Sequence, residues 1–597
     1  MIKKNGVVSV MGLLVLTKIL GFFKLRIVAQ LFGASHDLDI FWAAFTLPDM
    51  VFLVLVAGSI NAAIIPIFSD IFYEKGKKSL NSLFNKLTFL FSGLILLTTI
   101  LLFIFTPQIA QWLICSNKAN LIFGASGNLQ TTDLPRFISV MRIGLISPFV
   151  LGLSSFVTAY LQVRKQFFVT SLAPMFYNLG MIIFSYVFVK FFDMGINGLA
   201  WSSIVGTVLH LGVQIPLFRR YYRENKVKPI TNFKKIFNDA VVIKALKLAT
   251  PRILSILGEQ FNVIINTIIS FTLTAGTLSA YKFAYSLHMF PINIIGSAVA
   301  QVTLPNLAKA SKENGKKKFR DILNNAIQLS IYLVLPIVAV LIILRLPIVR
   351  LAYGTGAFDW QDTLLTAWVL VLLGLSIIGQ TLMQIVMRAF YALKDTWKAL
   401  IITMIGIGVN LTFVYFLTNF FSHYYDWRII LEQIFYQISH ANGPGVLAVI
   451  KSFFGDVWAW MTVRGDSTLA VGGLAVGVSM TYFIETVIGF WYLNRVTEVE
   501  LITWKDTIRP LLVKIVNAII MAIGMYFVFK IFDFRLDTSR TVWVALLTLV
   551  TAVYGGISYL LGSYLFRIKE FDDVWRYLLD LLSDLKRKVS KKDEEIS

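Results

Sequence analysis

From Gly6 to Gly33 the chain stays apolar for longer than the roughly 20 residues a helix needs to cross a bilayer. Yet Lys18 stands near the middle of this run, with Lys24 and Arg26 shortly after. A charge at the bilayer centre costs at least ~2.5–3.5 kcal/mol on insertion scales. A membrane helix keeps such residues where they line a water-filled hollow or meet an anionic ligand. The next apolar run adds Asp39 and Asp49 near its start, then Pro48 and Pro66. This hairpin reads as part of the wall of a polar, net-cationic cavity inside a membrane.

Apolar runs of this length recur to the end of the chain. Fourteen candidate spans cover about 6–33, 40–72, 84–115, 136–162, 167–191, 196–218, 245–274, 278–308, 322–352, 364–393, 397–421, 469–494, 508–532 and 540–566. With 57% hydrophobic and 15% charged residues, against about 25% charged in soluble domains, the expected class is an all-α polytopic membrane protein. The first run is too long for a signal peptide, and no small-residue cleavage site follows it. The loops test the count. Loop 73–86 has four Lys, 218–235 has seven Lys/Arg and 309–320 has six, and Arg164 and Lys165 follow span four. The alternate loops 34–39, 192–199, 274–279 and 353–362 have none. By the positive-inside rule both termini are expected in the cytoplasm, and the net charge of +22 reads as topology, with no nucleic-acid partner. The single cysteine, Cys115, excludes an internal disulfide.

Pro66 is followed ten residues later by Gly76-Lys77-Lys78, and Pro305 ten residues later by Gly315-Lys316-Lys317, a constant offset of 239. Span two thus matches span eight, and spans one to six match seven to twelve, as a parallel repeat. The expected organisation is an N-lobe over 1–222, a cytoplasmic linker over 223–244 and a C-lobe over 245–495. An extracytoplasmic insertion at 422–468 interrupts the C-lobe. Two more spans lie within 496–566, and a cytoplasmic tail covers 567–597. The insertion is aromatic, with Trp427, Trp458 and Trp460, and is expected to form helices at the membrane interface. In the tail, Phe571, Val574, Trp575, Leu578, Leu581, Leu582 and Leu585 follow helical spacing and precede five Lys/Arg, as in an amphipathic helix on an anionic leaflet.

The intramembrane charges are the candidate site. Lys18 and Arg26 lie about 80° apart on a straight helix, whereas Lys24 and Arg26 lie about 200° apart, so one straight face cannot present both. The plain alternative is that Lys24 or Arg26 anchors a helix end. Span seven carries Arg252, Glu259, Gln260, Asn262 and Asn266; span eight begins with Lys282, Ser286 and His288; span twelve has Glu485. Arg252 and Glu259, two turns apart, read either as one buried network or as part of the cavity. Substrate contacts are therefore expected from Lys18, Lys24, Arg26, Asp39, Asp49, Arg252, Glu259, Lys282 and Ser286. Asn266 and Asn410 can offer carbonyl oxygens to a small cation such as Na+. The histidines, His36, His210, His288, His423 and His440, have no metal spacing, and neither a nucleophile elbow nor a phosphate loop is present, so no catalytic residue, metal or organic cofactor is expected.

Several stretches resemble the MurJ/MviN family of the wider MOP transporter superfamily. They are LGFFKLRIVAQLFGASHDLDIFWAAFTLPD from Leu20, PIFSD from Pro66, Pro174 with Asn178, QFNVIINT from Gln260, Phe290–Pro291, LPNLAK from Leu304, GAFDWQD from Gly356 and RAFYALKDT from Arg388. The likeness covers about 6–495. It implies fourteen helices in two six-helix lobes plus two C-terminal helices, a cationic central cavity, and alternating access carrying lipid II, the undecaprenyl-linked peptidoglycan precursor, outward. The family's usual Arg-Asp after Leu-Gly-Phe is Lys24-Leu25 here, its span-two arginine falls at Phe52, its span-eight arginine at Ser286, and its span-one arginine at Lys18. Lysine keeps the charge and loses bidentate recognition of pyrophosphate. The insertion at 422–468 departs from the family pattern.

The resemblance places the chain in a bacterial inner membrane, as a monomer among lipids, moving lipid II with energy from an ion gradient or the membrane potential. Lys18→Ala is expected to abolish function in a protein that still inserts. Rival readings are an exporter of another polyprenyl-linked oligosaccharide, a drug/cation antiporter, a polyprenyl-phosphate glycosyltransferase using Asp37 and Asp39, and a non-transporting scaffold of the same fold.

Overall fold

The computed structural model describes residues 4–57, 64–115, 131–224, 239–313, 315–423, 432, 446–497, 500, 503–572 and 574–576. Among them every regular element is helical. In chain order they are α1 (Lys4–Phe32), α2 (His36–Phe52), α3 (Ile65–Cys115), α4 (Leu134–Gly144), α5 (Ile146–Val163), α6 (Phe167–Tyr186), α7 (Gly195–Gly212), α8 (Ile215–Arg223), α9 (Ala240–Phe271) and α10 (Thr277–Pro291). They continue with α11 (Ser297–Lys312), α12 (Lys316–Ile343), α13 (Arg345–Tyr353), α14 (Trp360–Gly374), α15 (Ser376–Ala392), α16 (Thr396–Ser422), α17 (Val446–Thr462), α18 (Val471–Thr497), α19 (Arg509–Arg535) and α20 (Thr541–Leu565).

Among the described residues, eleven helical segments are long and apolar enough to cross a membrane, or twelve if α14 and α15, bent by 42°, form one span. The chain is a multi-pass membrane protein, and this tally stops short of the fourteen expected. The two expected spans missing from it are the first and the seventh, which fall on α1 and α9; within α9 the described apolar stretch is Ile256–Phe271. The basic loop expected at 73–86 is helical on both sides of Gly76, whose φ of 78° and ψ of −176° break α3. A backbone in that region is open to glycine and strained for any residue with a Cβ.

The repeat is written into the backbone. A π-helical turn follows α2 at Leu53–Ala57, and another follows α10 at Ile292–Gly296, at the offset of 239 seen in the sequence. Helix interruptions at Leu145 and Leu375, and left-handed turns at Lys165 (φ 62°) and Lys394 (φ 60°), recur at offsets of 230 and 229.

The chain packs as two compact units. The first comprises 1–283, 352–365 and 410–474; the second comprises 284–351, 366–409 and 475–597. In the first, Phe68, Phe84, Phe91, Phe156 and Tyr160 centre a core of α3 and α5. There α6 and α7 approach closely through Gly180 and Gly206: a Cβ on Gly206 would lie 2.9 Å from the Tyr177 carbonyl oxygen. Small residues let membrane helices meet at this distance. In the second unit, buried Lys514 of α19 pairs with Glu570 at 2.9 Å and donates to Gln328 Oε1 of α12 at 2.6 Å. Asn517 of α19 donates to Ser563 Oγ of α20 at 3.1 Å. Phe571 and Val574, expected on a lipid-facing stripe, pack against this unit's core. The rest of that stripe, from 578, lies outside the described residues, as do Trp427 and His440 of the insertion.

Gly206→Leu forces α6 and α7 apart. It should destabilise the protein by about 1–3 kcal/mol, the usual range for overpacking, read as a lower midpoint of thermal unfolding in detergent. An unchanged midpoint would show that the two helices have slack.

Candidate functional site

Within the first unit α1, α2, α6, α9 and α10 bring a set of polar groups together inside the spans. Lys24 of α1 is half-buried, with its Nζ 5.4 Å from the centre of the Tyr177 ring of α6, a cation–π distance. The Tyr177 hydroxyl is hydrogen-bonded to Ser203 of α7. Asp49 of α2 is exposed and close enough to couple electrostatically to both Lys24 and Lys282. Lys282 of α10 donates from Nζ to Thr267 Oγ1 of α9 at 3.2 Å. Two ammonium groups and one carboxylate leave a net positive charge. Asp49 is exposed although its helix is long and apolar enough to be a span.

Asp39 does different work. It sits in the first turn of α2, ten residues before Asp49 and roughly 15 Å from it at 1.5 Å per residue. It is 2% exposed, and its two carboxylate oxygens accept from Gly276 N at 2.7 Å, Ser279 N at 2.7 Å and Ser279 Oγ at 2.6 Å. These are the orphan donors at the start of α10, capped from another helix. Gly276 has φ of 86°, and a Cβ there would meet the Ala34 carbonyl oxygen. Nearby, Ala34 N donates to Asp362 Oδ2 at 2.9 Å and Ala357 N to Gln30 O at 2.9 Å. The three loops without lysine or arginine at 34–39, 274–279 and 353–362 are thus knitted into one polar seal.

The other expected residues are distributed as follows. Lys18 is exposed and does not join the Asp49 cluster. Arg26 is half-buried on the same helix. Glu259 is exposed on α9; Arg252 lies on the backbone of that helix, and its side chain is outside the described residues. Ser286 follows Lys282 by one turn of α10 and belongs to the second unit, as do buried His288 and Glu485. His288 Nε2 lies 2.6 Å from Ser376 Oγ. Asn266 of α9 and Asn410 of α16 are both buried in the first unit, the Asn410 amide donating to Asn266 Oδ1 at 3.0 Å. One turn earlier on α9, Asn262 Oδ1 is buried without a hydrogen-bond partner among the described residues.

Residues 28–425 match the family model described as lipid II flippase MurJ. The chain belongs to the lipid II flippase MurJ family. A probable lipid II flippase MurJ of Buchnera aphidicola subsp. Acyrthosiphon pisum is 29% identical over 418 residues, 70% of this chain and 78% of the relative. One from Rhizobium tropici is 25% identical over 492 residues, 80% and 86% of the two chains. A solved lipid II flippase MurJ in an inward closed conformation superposes with a TM-score of 0.66 at 20% identity, covering 94% of this chain and 98% of that one. An inward-facing multidrug resistance MATE transporter of the MOP superfamily gives 0.59 at 14% identity, covering 82% and 98%. These structures show the fold.

Tyr177, beside the family-like Asn178, was not singled out in the sequence, and Thr267 stood there only as the last residue of QFNVIINT. Only the packing of α6 on α1 and of α9 on α10 shows that they hold Lys24 and Lys282. Asp39→Ala strands three donors at the start of α10 and should cost about 2–4 kcal/mol, from losses of 1–3 kcal/mol per buried unsatisfied group. Thermal unfolding of the purified variant measures this, and a loss below that of Ser279→Ala would contradict the capping role.

Proposed function

We propose that this chain moves lipid II from the inner to the outer leaflet of a bacterial cytoplasmic membrane, with the Lys24–Asp49–Lys282 cluster receiving the pyrophosphate. The observation that carries this reading is a net-cationic cluster around the exposed Asp49, among the helices of a multi-pass membrane protein. A pyrophosphate with its sugar and peptide is too polar to enter hydrocarbon. In a wet hollow the two ammonium groups supply charge-assisted hydrogen bonds, while Asp49 holds them apart and charged in the absence of substrate. The isoprenoid tail stays in lipid. Loops 34–39, 274–279 and 353–362 lie on the outer side in this reading. Their seal closes that side, and transport alternates between breaking it and remaking it. The membrane potential, at about 2.3 kcal/mol per charge per 100 mV, acts on the cluster's net charge.

Asn262, Asn266 and Asn410 supply the amide oxygens expected for a small monovalent cation, with Na+ as the candidate coupling ion. The buried, unpartnered Asn262 Oδ1 supports it. A second reading, export of another polyprenyl-linked oligosaccharide, follows from lysines standing where the family has arginines. An ammonium is a point charge and fixes the orientation of a phosphate less than a guanidinium does.

The test is restoration of lipid II exposure on the outer leaflet in cells depleted of their own flippase. Lys24→Ala and Lys282→Ala are each expected to lower it by about tenfold or more, the effect of losing one charge-assisted contact. Tyr177→Phe, which keeps the ring, should retain most of it. Full exposure in the Lys24→Ala/Lys282→Ala double variant would refute the cluster, and loss in Lys18→Ala alone would move the substrate site to the other side of α1. Rescue of an oligosaccharide exporter but not of the flippase would establish the second reading. Replacing external and internal Na+ by choline should slow transport by the parent and leave Asn262→Leu unaffected; an equal slowing in both would remove the asparagines from coupling.

A further inference from the structure

The insertion returns to the membrane helices through residues that the transport reading leaves unused. Helix α17 lies along the last turns of α16. Asn419 Nδ2 donates to Met461 O at 3.1 Å, and Phe416 and Phe420 meet Trp458 and Trp460, each pair at 6.1 Å. His423 stacks on Trp460 at 5.7 Å and donates from Nε2 to Val463 O at 3.0 Å. Beyond α17, Gly465 N donates to Ser422 Oγ at 2.7 Å and Ser467 N to Ser422 O at 3.2 Å. The connection is therefore pinned to the end of α16 on both sides of Arg464.

Arg464 reaches sideways from this fixed point. Its Nε donates to Asn419 Oδ1 at 3.2 Å and its Nη1 to Thr272 Oγ1 at 2.8 Å. Thr272 is the C-cap of α9, and its hydroxyl hydrogen is already given to Ile269 O at 2.8 Å, so the oxygen is oriented to accept from the guanidinium. A cation is favoured there because the last carbonyls of a helix carry partial negative charge. Thr272 opens the 272–279 turn, which presents Gly276 N and Ser279 N to Asp39. At its far side the turn is braced by Thr277 Oγ1, which donates to Thr274 O at 2.6 Å and Ser270 O at 3.1 Å. A turn carrying a left-handed glycine loses much conformational entropy when ordered. A rigid contact at its first residue removes part of that freedom in advance.

We propose that the 446–467 part of the insertion is a brace for the outer seal, and that Arg464 is the positioning residue through which it holds the 272–279 turn in the geometry Asp39 caps. This rests on the reading of that seal as the outer gate. Losing the brace leaves the cluster at Lys24 and Lys282 untouched and shifts the protein toward outward opening.

The reporter is Ala280→Cys, fully buried one residue past the seal, in a Cys115→Ser background. Its labelling by a membrane-impermeant maleimide is followed from the outside of intact cells. Arg464→Met should label about tenfold faster than the parent, the change expected for losing one charge-assisted hydrogen bond. Thr272→Val, which removes only the acceptor, should do the same, and Arg464→Lys should fall between. Combined with Asp39→Asn, Arg464→Met should add little, because both act on one seal. Unfolding midpoints of the purified variants separate a loosened gate from a damaged fold. Parental labelling in both Arg464→Met and Thr272→Val, with faster labelling in Asp39→Asn, overturns the brace and leaves the gate intact. Parental labelling in all three overturns the gate reading, and the brace with it.

Discussion

An ammonium group inside a membrane must be paired, hydrated or neutralised, and the first unit meets that requirement with one carboxylate between two lysines. Asp49 lies in electrostatic reach of Lys24 and Lys282 and is itself exposed. Removing either feature would leave charges whose burial is unaffordable in hydrocarbon. The helices around them follow from this need. Tyr177 gives Lys24 an aromatic face, Thr267 gives Lys282 an acceptor, and the glycine contact between α6 and α7 sets the position of Tyr177. An anionic ligand entering such a site competes with Asp49 for cations that are already held in place.

The second electrostatic element is separated from the first along α2. Asp39 accepts three hydrogen bonds from the start of α10, which also carries Lys282. One helix therefore bears both a residue of the cluster and the donors of the seal. A rigid-body motion of α10 that breaks the cap also moves Lys282 relative to Asp49. The capped Ser279 and Lys282 stand only three residues apart on this helix.

Much of this was legible in the sequence. Long apolar runs announced the class, and the proline–glycine–lysine pairs share their offset of 239 with two π-helical turns. Lys24, Asp49 and Lys282 stood out because charged residues in apolar runs are rare. Burial against specific neighbours was not legible. Asp39 and Asp49 are both acids on one predicted span, and only the fold separates a cap from an exposed member of a cluster. Lys18 and Lys24 likewise look alike in a one-dimensional run, but their different angular positions on α1 give them different surroundings. The 73–86 stretch looked like a loop because it is basic. Its residues are good helix formers, and one glycine suffices to turn the chain between two helices. Arg464 gave no signal, because an arginine in a polar insertion is unremarkable until its distance to Thr272 is known.

Of the four π-helical turns among the described residues, those at Leu53–Ala57 and Ile292–Gly296 stand at matching places. Such a turn holds one residue more than the α-helical turn it replaces, and it persists only where the surrounding packing tolerates the altered phase. Here the extra residue recurs at the same spacing as the proline–glycine–lysine signature, although few side chains around it agree between the halves. The matching turns mark the same place in both halves of the repeat, whatever side chains stand around them.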